Sequence, residues 1–295
     1  MASNQVRIIG GTEGRSALTE LRELVGELVA SRDLLSQLTI RDIKLRYKQA
    51  VMGFGWALLM PILVVSAGSI VRLAISSTAG HGLGLQSLAG VTIKSLPWAF
   101  FVGSVSFATA SLTGNTSLVS KIYFPREVLP LSCVLAQAVD TLVGGVVVAI
   151  AVPFMGARLT WALLWIPVIA LLIFMFTAAS CLFLSCANLF FRDVKYLVQV
   201  LLMFGIFFTP IFYEPGMLGA RAYLVMLNPI APLVEGARLV LMNGHNLLEP
   251  LTPGTSGTDV WSPWYLGYSA AWAICGLVGG TLIFHRVQYL FAEYL

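Results

Sequence analysis

The residues that could do chemistry are few, and they lie far apart. His81 and His245 fall in polar loops, and His285 closes an apolar run. No HExxH, no GxSxG and no close carboxylate pair accompanies them, so neither a zinc hydrolase nor a serine acyl-transfer site is written in the chain. No glycine is followed by lysine anywhere, which excludes the Walker A loop that holds nucleotide phosphates. The chain is therefore expected to have no ATPase site, cofactor or metal of its own. Cys133, Cys181, Cys186 and Cys275 all lie inside apolar segments with no CxxC pair, so they read as free, small core residues. Asp140 is the one ionisable group near the centre of a long apolar run. It could relay a proton or sodium ion if it had a partner. The favoured reading is a structural aspartate, bonded to Gln137 or to a group on another helix, or kept protonated, because charge in a membrane is costly unless paired.

The elements that must position these residues are helices in a bilayer. Of 295 residues, 58% are hydrophobic and 11% charged, against about a quarter charged in soluble domains. The expected fold is an all-α membrane protein with six transmembrane helices, at about 51–75, 96–115, 129–153, 162–189, 195–213 and 264–284. The first fifty residues are polar and lack the h-region and cleavage site of a signal peptide, so 1–50 reads as a cytoplasmic N-terminus and 51–295 as the membrane domain. Within 17–35, Leu18, Leu21, Val25 and Leu28 recur at helical spacing beside Glu20, Glu23 and Glu27, which predicts an amphipathic helix on the membrane surface. Arg41, Lys44 and Lys48 then share one helical face toward anionic headgroups, with Arg46 in the same basic run.

Residues 222–243 are apolar but broken by Pro229 and Pro232 and interrupted by Glu235 and Arg238. Together with Asn228 they predict two short helices that dip into the membrane and return on the same side. Lys and Arg concentrate before span one and in the loops around 121–126 and 192–195, which places both termini in the cytoplasm and the re-entrant segment outside.

Two constellations could bind something. Phe204, Phe207, Phe208, Phe212 and Tyr213 in span five read as packing or lipid contact, or as an aromatic-lined path whose flat rings suit sliding contacts with sugars. Trp56 could join that lining. Between spans two and three lies "KIYFPREVLP". Pro125 turns the chain there and leaves Tyr123 and Phe124 at a cytoplasmic tip beside Lys121, Ile122, Arg126 and Glu127. Exposed aromatics with charged neighbours suit a protein-interface anchor, and equally an interfacial aromatic beside topology-setting charge. Gly276 and Gly280 form a GxxxG pair that permits close helix approach, within the chain or between chains.

"LTIRDIKLRYKQAVMGFGWALLMPIL", "KIYFPREVLPLS", "FFRDVKYLVQVLLMFGIFFTPIFY" and "LNPIAPLVEGARLVL" together resemble the membrane subunit of ABC-2 type exporters, in the branch that exports O-antigen, capsular or teichoic-acid polysaccharide. The resemblance runs from about residue 35 to 245. It implies a homodimer in the bacterial inner membrane, paired with two copies of a separate subunit that binds ATP and Mg. It implies that the amphipathic helix is an interface helix, that 117–127 is a coupling helix seated in the ATPase, and that 216–243 forms external re-entrant helices. The cargo would be a lipid-linked glycan, and no nucleic-acid partner is expected. The alternatives are an ABC-2 permease for a lipid or drug and, further off, an ion-coupled carrier using Asp140.

Overall fold

The computed structural model describes residues 26–48, 85–121, 124–158, 160–251 and 260–291, with the single positions Gly55, Leu63, Ser66 and Ile70. Those four positions apart, the expected span 51–75 lies outside the described residues, and so do Trp56, Ile122 and Tyr123. The α-helices are α1 Arg32–Tyr47, α2 Leu85–Thr109, α3 Ser111–Gly114, α4 Thr116–Lys121, α5 Val128–Phe154, α6 Trp165–Phe190, α7 Val194–Phe208, α8 Ala222–Met226, α9 Ala231–Arg238 and α10 Pro263–Val287. Among the described residues, β pairing is limited to one bridge between Leu251 and Trp261.

Among the described residues, four helical stretches are long and apolar enough to cross a membrane: Leu88–Thr109, Val128–Phe154, Trp161–Phe190 and Pro263–Leu290, of 22 to 30 residues. At 1.5 Å per residue each exceeds the roughly 30 Å of hydrocarbon. The chain is an all-helical, multi-pass membrane protein.

Two spans differ most from the sequence reading, the second at both ends (Leu85–Thr109 against 96–115) and the fifth at its end. Helix α2 starts at Leu85, well before residue 96, because Thr92, Lys94 and Ser95 depress the hydropathy of a segment that is nonetheless helical. The Thr92 and Ser95 hydroxyls bond back to the carbonyls of Leu88 and Thr92, both at 2.9 Å. Pro97 sits inside this helix, where it costs one backbone bond. Helix α7 is 15 residues long, about 22 Å, and stops at Phe208 rather than 213. Pro210 drives Thr209 out of helical space (φ −107°, ψ 133°).

The core lies between α2, α5, α6, α9 and α10, with Ile93, Phe100, Val134, Ile173, Leu233 and Ala273 among its buried members. Helices α6 and α10 pack closely. A Cβ on Gly276 would meet the Ala179 side chain at 3.4 Å, and one on Gly280 would meet the Ala179 carbonyl oxygen at 3.2 Å. The GxxxG pair thus serves contact within the chain. Cys133, Cys181 and Cys186 are buried, whereas Cys275 faces outward, not into the core.

Helix α1 packs along the first half of α5. Leu38 joins the cluster of Val128 and Leu129, Ser132 Oγ donates to Asp42 Oδ2 at 3.0 Å, and Arg46 reaches Asp140. The contacts rise together along both helices, so α1 climbs parallel to α5 from its start toward its middle.

Candidate functional site

Three polar centres are set along this bundle. The first lies near the start of α2, where the fully buried Lys94 Nζ donates to the carbonyl of Tyr213 at 2.7 Å and lies 3.5 Å from Glu235 Oε2. Glu235, also fully buried, accepts from Arg238 Nε at 2.9 Å. Pro232 in the first turn of α9 and the short, Pro-broken segment before it aim Glu235 and Arg238 inward, three residues apart on one face. The Arg238 stem crosses Gly90 of α2, where a Cβ would meet it at 3.2 Å. Asn228 braces the same region. Its Nδ2 donates to Thr209 Oγ1 at 3.0 Å, and its Oδ1 accepts from the Ile230 N–H at 3.3 Å. The Pro229 carbonyl accepts from Ser269 Oγ of α10 at 2.7 Å. Asn228, Pro229, Glu235 and Arg238 are therefore brought together. Lys94 completes the set and was missed in the sequence. Its one signal was a lysine within an otherwise apolar stretch.

At the second centre, Arg46 Nη1 donates to Asp140 Oδ2 and to Gln137 Oε1, both at 2.7 Å, with its guanidinium 4.0 Å from the centroid of the Phe107 ring. Arg46 was expected at the headgroups. It turns inward instead, because it lies across the helix from Arg41, Lys44 and Lys48. Lys44 and Lys48 are exposed, while Arg41 lies partly open beside Asp42.

The third centre joins the loop before α5 to the end of α10. Phe124 packs half-buried against a cluster that includes Val119, Leu129, Phe284 and Phe291. Arg126 donates through Nη1 to the Gln288 carbonyl and through Nη2 to the Val119 carbonyl. Glu127 was expected at an exposed rim, but it is fully buried, because helix α5 begins just after it and turns it under the loop. Its oxygens accept no hydrogen bond among the described residues, and Oε1 lies 3.5 Å from His285 Nδ1. Lys121 ends α4.

The five aromatics of the fifth apolar segment divide. Phe204, Phe207 and Phe208 are exposed along α7. Phe212 is buried with Val91, Trp98, Ile211, Ile230 and Val234. The break at Pro210 takes Phe212 out of helical register with Phe208, so it does not share their face. Tyr213 gives its carbonyl to Lys94, and its hydroxyl donates to the Phe207 carbonyl at 3.1 Å.

The fold and these centres describe a helical multi-pass membrane protein with a broken helical segment between its last two long apolar helices and a compact loop after α2. The chain belongs to the ABC-2 type transporter family, whose profile matches residues 33–242. It is similar to two Klebsiella pneumoniae proteins, each named O-antigen export system permease protein RfbA. Identity is 28% over 265 and 267 residues, covering 89% of this chain and 95% of each relative. A Myxococcus xanthus protein of the same name is 28% identical over 233 residues, covering 77% of this chain and 88% of the relative.

Proposed function

We propose that the chain is the transmembrane subunit of an ATP-driven exporter that moves a lipid-linked polysaccharide of O-antigen, capsular or teichoic-acid type across the bacterial inner membrane. The observation that carries this reading is similarity along nearly the whole chain to three O-antigen export permeases, in a chain with no nucleotide-phosphate loop. Two copies pair with two ATP-binding subunits, which supply ATP and Mg. Residues 51–75 form the first span. Helix α7, extended by the non-helical residues 209–213, forms the fifth. Residues 216–243 are external re-entrant helices, and both termini are cytoplasmic.

Residues 117–127 are the coupling element. Lys121 to Tyr123 face the ATP-binding subunit, and Phe124, Arg126 and Glu127 hold the element from behind. The path is lined by Trp56, Phe204, Phe207 and Phe208. Arg41, Lys44 and Lys48 meet lipid headgroups. A permease for a lipid or drug remains the second reading, since the exposed Phe204, Phe207 and Phe208 would suit an apolar cargo equally well.

The test is reconstitution with the ATP-binding subunit in vesicles. Export of an undecaprenyl-linked glycan should depend on ATP and on both chains. Nucleotide hydrolysis by the clean, isolated chain would overturn the division of labour, and equal transport of glycan-free lipid would favour the second reading. In a cysteine-free background, Leu85→Cys and Thr255→Cys should react with an impermeant thiol reagent from outside and Leu118→Cys should not. The opposite pattern would invert the topology.

A further inference from the structure

The coupling loop is attached to more than its own flanking helices. The Gln288 carbonyl belongs to the short turn after α10, where it accepts the Phe291 backbone N–H and lies at the negative end of the helix dipole. The cation that meets it comes from Arg126, 162 residues away in sequence. The same guanidinium lies 5.7 Å from the centroid of the Phe291 ring. Phe291 is fully buried. It packs edge-on to Phe284 of α10 at 5.2 Å and to Phe190, the last residue of α6, at 6.1 Å. Beside it, His285 Nδ1 stands between Glu127 Oε1 at 3.5 Å and Gln288 Nε2 at 2.8 Å. An Nδ1 that accepts from Gln288 cannot donate to Glu127, so the imidazole serves one of them at a time.

One ring and one imidazole thus join the coupling loop to the ends of α6 and α10. These two helices are held backbone-close at Ala179 and Gly280, so they form a rigid pair that transmits displacement without absorbing it. We propose that the C-terminal segment His285–Phe291 is a positioning element of the coupling loop, with Arg126 and Phe291 as its grip, and that it sets how much of each ATP-driven displacement reaches the membrane helices. This rests on the reading of 117–127 as the coupling element.

The experiment uses the full complex in vesicles and measures glycan exported per ATP hydrolysed, alongside the amount of assembled complex. Arg126→Lys keeps the charge and removes the forked grip on the two carbonyls. Phe291→Leu keeps buried apolar volume and removes the ring. Each should lower the export-to-hydrolysis ratio roughly 2- to 30-fold, the range seen when residues that link two sites are altered. Ile169→Val, buried in the other core cluster, controls for packing loss alone and should leave the ratio at the parental value.

If Arg126→Lys and Phe291→Leu reduce export only in proportion to assembled complex, with the ratio unchanged, the segment is packing and the proposal is overturned. Replacing Tyr123 alone by alanine, which leaves Phe124 in the cluster with Phe291, separates the two claims. If that variant lowers the ratio while the other two do not, the coupling element stands and the positioning role falls. If none of the three moves the ratio, the coupling reading itself fails.

Discussion

The polar clusters around Glu235 and Glu127 occupy opposite ends of α2 and its neighbours, and both contain a carboxylate with no solvent exposure. They are satisfied very differently. Glu235 is held between Lys94 and Arg238, from two helices, with hydrogen bonds in place. Glu127 accepts none among the described residues and faces a histidine whose nitrogen is also engaged by Gln288. A buried carboxylate that is fully paired cannot move without exposing charge, while one that is barely paired loses little by moving. The contrast leaves the α9 end tied by buried charge and the loop before α5 tied through Arg126 and apolar packing. If residues 117–127 couple to an ATP-binding subunit, as proposed, the driven end is the less charge-paired one.

The sharpest way to break the comparison is Glu235→Gln. Two buried cations would then flank a neutral amide, and breaking a buried ion pair in this way costs on the order of 3–5 kcal/mol. The variant should give little folded protein, measured as monodisperse chain recovered from membranes and as its thermal midpoint. Parental yield and midpoint would mean that the triad contributes no rigidity.

The next effect is expected at the other end and in complex with a partner. Replacing Tyr123 and Phe124 together by alanine removes the aromatics of the coupling tip. The cost should be about 2–4 kcal/mol of association with the ATP-binding subunit, or roughly 30- to 1,000-fold in affinity. Co-purification and stimulated ATP hydrolysis should both fall while insertion persists. A variant that binds, hydrolyses and exports like the parent would reduce the loop to a topological anchor.

Asp140 lies between the two ends and resembles the α9 end, since it has a close cation in Arg46 at 2.7 Å. Asp140→Asn keeps the shape and an acceptor for Arg46 but loses the charge. A charge-assisted hydrogen bond is worth about 1.5–3 kcal/mol, so the thermal midpoint should fall modestly with export largely intact. Loss of export in well-assembled protein would revive the ion-coupled reading and place a moving proton where the comparison places a fixed pair.

What the sequence made legible follows from the range of each signal. Helices α5 and α6 are continuous apolar runs, so their ends lie within about three residues of the hydropathy boundaries. The start of α2 was hidden, because Thr92, Lys94 and Ser95 read as a polar boundary and Pro97 as a stop. The end of α7 was legible in principle, since Pro210 restricts Thr209, but the apolar run continued past it. Glu235 and Arg238 stood out at three-residue spacing inside an apolar segment. Their third partner lies 141 residues away in Lys94, and no local pattern reaches that far. Arg46 was half legible. The face shared by Arg41, Lys44 and Lys48 excludes it, which left it to find a partner inside. The burial of Glu127 had no local signal, because charge beside an aromatic tip looks the same whether it turns out or under.

The smallest effect sharpens the comparison most, because it is the same substitution at the other end. In Glu127→Gln the carboxylate gives way to an amide of nearly the same shape. The Glu127 oxygens accept no hydrogen bond among the described residues, so few contacts are lost. The amide is less costly to bury than a carboxylate. One nearby group, His285, loses a 3.5 Å electrostatic neighbour, but its nitrogen keeps the contact with Gln288 at 2.8 Å. The net change in stability should lie within about 1 kcal/mol of zero, in either direction, as expected when a buried charge of little pairing is neutralised. The measurement is the thermal midpoint of the purified chain beside that of Glu235→Gln under identical conditions. A small shift next to a large one would mean that the two ends differ as the geometry says. Equal, large losses would mean that Glu127 is held as firmly as Glu235, and the two ends would not differ as their geometry says.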